Sequence, residues 1–365
     1  MKKERIIGIE FLRIISMFFI VILHVLGRGG ILNNCELFSP NYFLAWLLEI
    51  LAFCSVNCYG MISGYVGVNS NFKYSNIIKL WFQVLFYTLI ITSIFMVFIP
   101  EVRLISNVIK AMFPVLFNVY WYFTVYFCMF FFIPYLNKLL NSFNKRESKN
   151  LIITIIFFFS IFCLISPEDI FNLASGYSLI WLTLLYLIGG YIRKYGLFDN
   201  WTTKKLIIGF LGTLIGTLMI KISTEFLTIK FLGEIKGNLF LIRYNSITIL
   251  FEGIFLLLLA LRLKFNKTKK VINFIAPLSF SVYLIHTNPL IWDYLMKNRF
   301  VDFISYSPID LLLNILIASF VIYIISIMID YIRIKIFKAL KIDNLSVKIT
   351  EKLKILKNKI VKYEN

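Results

Sequence analysis

The chain has 365 residues, 59% of them hydrophobic and 38 of them Phe, with a mean hydropathy of +0.82. That composition excludes an ordinary water-soluble domain and predicts an all-α integral membrane protein. The net charge of +19 does not point to a nucleic-acid partner, because the basic residues lie between apolar runs instead of forming an aromatic-studded basic domain. Cys35, Cys54, Cys58, Cys128 and Cys163 fall mostly inside apolar runs without metal-type spacing, which argues for packing and against a metal centre.

A membrane span needs about 20 predominantly apolar residues. On that rule about ten transmembrane helices are expected, with eight or nine as the alternatives, at 6–26, 41–66, 76–99, 116–136, 150–166, 175–192, 205–222, 238–260, 271–294 and 308–330. The fifth is short, and the seventh runs without a clear end into Lys221–Lys236. The first is expected to be a permanent span, since Glu10 and Arg13 interrupt its apolar core and no small-residue cleavage site follows.

Charge orients these spans. With the N-terminus inside, 28 of the 38 basic residues fall on the inner side, 9 on the outer side, and Arg13 within the first span. The bias predicts N- and C-termini that are both cytoplasmic. Residues 1–335 read as one transmembrane domain and 336–365 as a basic amphipathic cytoplasmic tail. Between Val347 and Ile360, Ile and Leu form one stripe and Lys another. Attraction to anionic membrane lipids at about 1 kcal/mol per basic residue explains this pattern, and so does a merely solvated tail.

Polar residues inside the spans mark where chemistry can sit, because a charge in hydrocarbon costs at least ~2.5–3.5 kcal/mol unless it meets a partner or a wet cavity. The first span carries Glu10, Arg13 and His24. Arg13 and His24, eleven residues apart, leave one helix face about 16 Å apart along the axis, with Glu10 on the same stripe. A buried Glu10–Arg13 ion pair with an interfacial His24 is the plainer reading. The second span carries Glu49, Asn57, Ser63 and the close-packing pattern Gly60-x3-Gly64. Lys73 and Lys79 open the third span, as phosphate contacts or as inner-side anchors. Trp121, Tyr122 and Phe123 open the fourth, as a sugar-stacking surface or as part of an interfacial aromatic belt. In the eighth span, Asn245 and Glu252 are seven apart on one face, and either Glu49 or Glu252 is a candidate partner for Arg13. In the ninth, Ser279, His286 and Asp293 are spaced by seven. Asp293 is therefore expected either to orient His286 or to cap a helix end. The chosen orientation puts His24 and His286, the two histidines of the protein, on the outer side at comparable depth. A histidine there is suited to remove a hydroxyl proton at neutral pH.

Arg13-x10-His24 resembles the signature of the membrane acyltransferase 3 family. The resemblance continues at Asn57-Cys-Tyr-Gly-Met-Ile-Ser63-Gly64-Tyr65, Trp121-Tyr122-Phe123, Leu187-Ile-Gly-Gly-Tyr191-Ile-Arg-Lys-Tyr-Gly196 and Ser279-Phe-Ser-Val-Tyr283-Leu-Ile-His286, in the family's order over roughly residues 5–335. It implies a multi-pass O-acyltransferase of the cell membrane. The donor substrate would be acyl-CoA, acetyl-CoA first among them, with no bound cofactor, and the acceptor a sugar hydroxyl of an envelope polysaccharide or lipid-linked precursor. It further implies His24 as the catalytic base and Arg13 in a structural or donor-orienting role. Glu10, Glu49, His286, Asp293 and Glu252 would support them, with Ser63, Trp121 and Tyr122 toward the acceptor. Where the family carries an arginine-rich donor cluster, this chain has Lys73 and Lys79, which lack the bidentate fork of arginine. The competing reading is an exporter of polysaccharide or lipid-linked sugar, since intramembrane charges also mark transport paths.

Overall fold

The computed structural model describes residues 5–166, 168–237 and 239–363, with side chains to residue 356; Lys2 and Lys3 of the expected inner-side charge lie outside them. Helix α1 (Ile7–Leu26) is the hub. It is buried at Ile9, Leu12, Met17, Ile20, Val21, Leu23 and Leu26, positions that circle the axis, as expected of a helix enclosed on all sides. Around it pack α2 (Pro40–Phe53), α3 (Ser55–Gly67), α10 (Ile247–Arg262), α11 (Lys269–His286) and α13 (Pro308–Ala339). Ser39 and Pro40 start α2: the Ser39 hydroxyl accepts the Tyr42 N–H at 3.2 Å and proline fills the first turn.

The outer layers are α4 (Tyr74–Phe98), the short α5 (Ile105–Met112), α6 (Trp121–Ser142), α7 (Lys145–Ile165), α8 (Leu179–Tyr195) and α9 (Thr203–Leu232). A capping box starts α7, with Asn144 and Glu147 satisfying each other's backbone N–H groups. Helix α12 (Pro289–Met296) follows α11 after a 59° bend, and α14 (Ile342–Tyr363) closes the chain. Among the described residues there is no β-strand.

By length and composition, seven helices are able to cross a membrane, or eight if α11 and α12 form one bent span. Two of the ten expected spans, α8 and α10, are shorter, with 17 and 16 residues. At 1.5 Å per residue they are about 24–26 Å long, short of the ~30 Å hydrocarbon core. They are largely buried, packed among α1, α3, α6 and α9.

Three boundaries also move. Helix α6 starts at Trp121 instead of 116, after a loop with Pro114 and a left-handed Asn118. Helix α9 runs to Leu232, so Lys221 sits inside it. There Lys221 Nζ meets Glu225 Oε1 at 2.5 Å, with both side chains 1% exposed, and Tyr42 O–H donates to Glu225 at 2.7 Å. Helix α10 begins at Ile247, which leaves Asn245 in the preceding loop and off the Glu252 face.

The tail helix packs through its first turns. Ile342, Ser346 and Thr350 are the buried positions of α14 where it packs on α4, while Leu345, Val347, Leu353, Ile355 and Leu356 are exposed. Arg333, just before the tail, is buried and forks onto Asp330 at 2.8 and 2.9 Å, and Tyr87 completes that carboxylate's shell at 2.6 Å. Helix α13 itself continues past residue 335 to Ala339.

Candidate active site

Two helix ends build the site. His24 lies in the last turn of α1 and His286 in the last turn of α11, and His24 Nδ1 is 2.7 Å from His286 Nε2. The other nitrogen of His286, Nδ1, is 2.5 Å from the carbonyl of Val282. A carbonyl only accepts, so in the neutral His286 ring Nδ1 carries the proton and Nε2 is the acceptor. His24 Nδ1 must then donate, which leaves the lone pair of His24 on Nε2. Trp292 supports the ring edge-on, 4.7 Å away at 81°. His286 is buried at 1% exposure and His24 is partly open, so only His24 meets what enters.

What enters has a cavity of about 470 Å³, lined by His24, Glu49, Trp121, Tyr177, Tyr244 and Tyr283 among others. That size falls within the ~300–1,000 Å³ of small-molecule sites. Trp121 and Tyr244 lie nearly parallel at 5.9 Å and 19°, with Tyr177 4.5 Å from Trp121. Asn57 fixes this wall from below: its amide donates to the Tyr244 carbonyl at 2.8 Å and accepts the Trp181 indole N–H at 3.1 Å. One oxygen of Glu49 is buried without a partner among the described residues. A narrow extension of about 30 Å³, lined by Met17, Ile20, Tyr59, Tyr122 and Phe280, leads from His24 back along α1.

Further along α1, Arg13 Nη1 holds Glu10 at 3.1 and 3.2 Å. The Tyr59 O–H, on the wall of the extension, donates to the Arg13 carbonyl at 2.8 Å. Beyond Glu10 a third cavity of about 160 Å³ opens at the other end of the bundle, lined by Arg5, Glu10, Tyr65, Asn69 and Arg193. The stripe of α1 thus joins two cavities at opposite ends.

Several expected pairings do not form. Asp293 does not orient His286. The Asn288-Pro289 step ends α11, because the residue before proline is pushed out of the helical region, and the bend turns Asp293 away to an ion pair with Arg28. Asn288 locks the break by accepting the Leu290 N–H at 3.1 Å and donating to the Tyr120 hydroxyl at 3.0 Å. Neither Glu49 nor Glu252 reaches Arg13, which is held by Glu10. Glu252 is fully buried at the contact of α3 and α10, and both its oxygens lack partners among the described residues. Ser63 lines no cavity described here and donates within its own helix to the Tyr59 carbonyl at 2.9 Å. Lys79 pairs with Asp343 of α14 at 2.5 Å, and Lys73 stands exposed before α4. Reading the sequence missed Tyr177, Tyr244 and Trp292 at the histidine cavity, and Arg5 and Arg193 at the opposite one. Arg193 alone had a signal, its place in the Leu187–Gly196 stretch.

Residues 6–331 match the family described as the acyltransferase domain. Neither a curated protein nor a solved structure matches the chain. A match over most of the chain, on a multi-pass helical bundle that joins Arg13 and His24 along one helix, leads to one conclusion: the chain belongs to the acyltransferase 3 family and is a membrane acyltransferase.

Proposed function

We propose that the protein transfers an acyl group, acetyl in the first instance, from acyl-CoA to a sugar hydroxyl of an envelope polysaccharide or lipid-linked precursor at the cell membrane. The observation that supports this most is the free Nε2 lone pair of His24 at an aromatic-walled cavity, with its direction set by the His24–His286–Val282 chain of hydrogen bonds. An aromatic wall suits the apolar face of a sugar ring, and a positioned imidazole suits removal of its hydroxyl proton.

The proton of the sugar hydroxyl passes to His24 Nε2 as its oxygen attacks the thioester carbonyl. The protonated ring keeps donating through Nδ1 to His286, so the base does not reorient between steps. The tetrahedral intermediate expels the CoA thiolate, the carbon–sulfur bond breaks, and His24 returns the proton to sulfur. Tyr283 lines the cavity beside His24 and accepts the Tyr122 N–H on its oxygen at 3.3 Å, which leaves its own O–H to donate to the oxyanion. The donor would approach from the opposite end, past Arg5 and Arg193, with Lys73 as a further cation for its phosphates and the thioester reaching His24 along the α1 stripe.

The test is mass spectrometry of envelope glycans from cells that carry the protein, lack it, or carry His24→Ala at matched levels. Acetyl groups present with the wild type and absent in the other two strains are expected. Unchanged acetylation in the His24→Ala strain would overturn the mechanism, and unchanged acetylation in the strain lacking the protein would overturn the function.

A further inference from the structure

Beside the histidine cavity lies a second one of about 340 Å³, between α4, α5 and the break before α12. The two share Val119, Pro289 and Asp293 as a common wall. Their chemistry differs. The first is walled by aromatic rings, whereas the second is lined by Thr92, Asn107, Lys110, Asn118 and Asn288. Part of that polarity is engaged in holding the fold: Asn107 donates to the Val102 carbonyl at 2.9 Å, and Asn288 is committed to Tyr120 and Leu290. The rest is unspent, because the side chains of Thr92, Lys110 and Asn118 have no partner among the described residues. An amide, a hydroxyl and an ammonium group converging on one cleft match a ligand rich in hydroxyls, and Phe117 and Leu290 beside them present an apolar surface to the face of a sugar ring.

Building on the acyl transfer proposed above, we propose that this cleft is a second acceptor subsite. It holds the sugar unit adjoining the one that is acylated, so the acceptor is a disaccharide or longer glycan and not a free monosaccharide. The shared wall makes the two positions adjacent. A ring against Trp121 and Tyr244 places its reacting hydroxyl near His24, and its neighbour then passes the Asp293 side of the wall into the polar cleft.

The experiment uses the full-length protein in detergent, where both ends of the bundle are accessible, with radiolabelled acetyl-CoA. The acceptors are size-fractionated mono-, di- and trisaccharides from mild acid hydrolysis of the de-acetylated envelope glycan of the source cells. A disaccharide should exceed the monosaccharide in kcat/KM by about tenfold, the equivalent of about 1.4 kcal/mol. In Lys110→Ala with Asn118→Gly that ratio should fall to about twofold or less. Both positions are exposed, and glycine retains the left-handed backbone of Asn118, φ 47°, so the fold is expected to tolerate the pair. Thr92→Val, which preserves shape and removes the hydroxyl, should lower the ratio in the same direction. Equal use of mono- and disaccharide by the wild type, or an unchanged ratio in the variants, would overturn the second subsite. Transfer to none of the fractions by the wild type would instead overturn the acyl-transfer reading on which it rests.

Discussion

His24 and His286 divide one task. His286 is buried and has both ring nitrogens engaged, so its part is to hold His24 in the tautomer that presents Nε2. This division makes a graded prediction. His24→Ala removes the base and should lower acetyl transfer by ~10²–10⁴-fold. His286→Ala removes one orienting hydrogen bond, ~0.5–1.5 kcal/mol, and should lower kcat by up to about tenfold with little change in KM. His286→Gln, whose amide oxygen accepts from His24 Nδ1, should recover most of that loss. Equal losses for His24→Ala and His286→Ala would place His286 in the chemistry itself. The sequence showed that both histidines belong at one end of the bundle, and it offered Asp293 either to orient His286 or to cap a helix end; the first alternative fails. The failure has a local cause: even spacing by seven implies a shared face only while the helix continues, and Asn288-Pro289 stops it.

Among the elements, α3 and α8 are joined by glycine more tightly than the Gly60-x3-Gly64 pattern alone conveys. A Cβ on Gly64 would lie 1.8 Å from the Tyr186 carbonyl oxygen, and one on Gly189 would lie 1.9 Å from that of Met61. Backbone cannot rotate aside, so Gly64→Ala should lower stability by at least the ~1–3 kcal/mol typical of overpacking. Gly212→Ala, with nothing within 4 Å of its Cβ, should leave it unchanged. Thermal unfolding in detergent measures both. Helix α9 holds the second element-scale test. Lys221→Met strands the Glu225 carboxylate in the interior and should cost ~3–5 kcal/mol, most of it regained when Glu225→Leu is added, because an unpaired buried charge costs more than an apolar pair. Recovery in the double variant would mark the ion pair as a packing feature of α2 and α9.

At the scale of the whole molecule, the α1 stripe connects an arginine-lined cavity at one end with the histidine cavity at the other. If acyl-CoA enters at the first, Arg5→Glu should raise the KM for acetyl-CoA several-fold and leave the acceptor KM unchanged, as measured in detergent by initial rates. Charge reversal at Lys79 should do less, since Asp343 already holds it. The same scheme needs Arg5 on the cytoplasmic side. Lys149→Cys, in the exposed first turns of α7, should resist an impermeant thiol reagent on intact cells and react once the cells are opened. Labelling from outside would reverse the orientation.

The sequence by itself determined the class of this protein, because long apolar runs have no alternative to helix in hydrocarbon, where every backbone group must be satisfied within its own segment. It also determined the stripe of Glu10, Arg13 and His24, since residues on one continuous helix keep their angular relation. Tertiary structure decided everything that depends on two elements meeting. It set which group orients His24, and which aromatic rings from the loops before α8 and α10 complete the wall beside Trp121. It also decided that α8 and α10 are enclosed by other helices, which their apolar character could not reveal: a helix enclosed by protein and a helix facing lipid are equally hydrophobic.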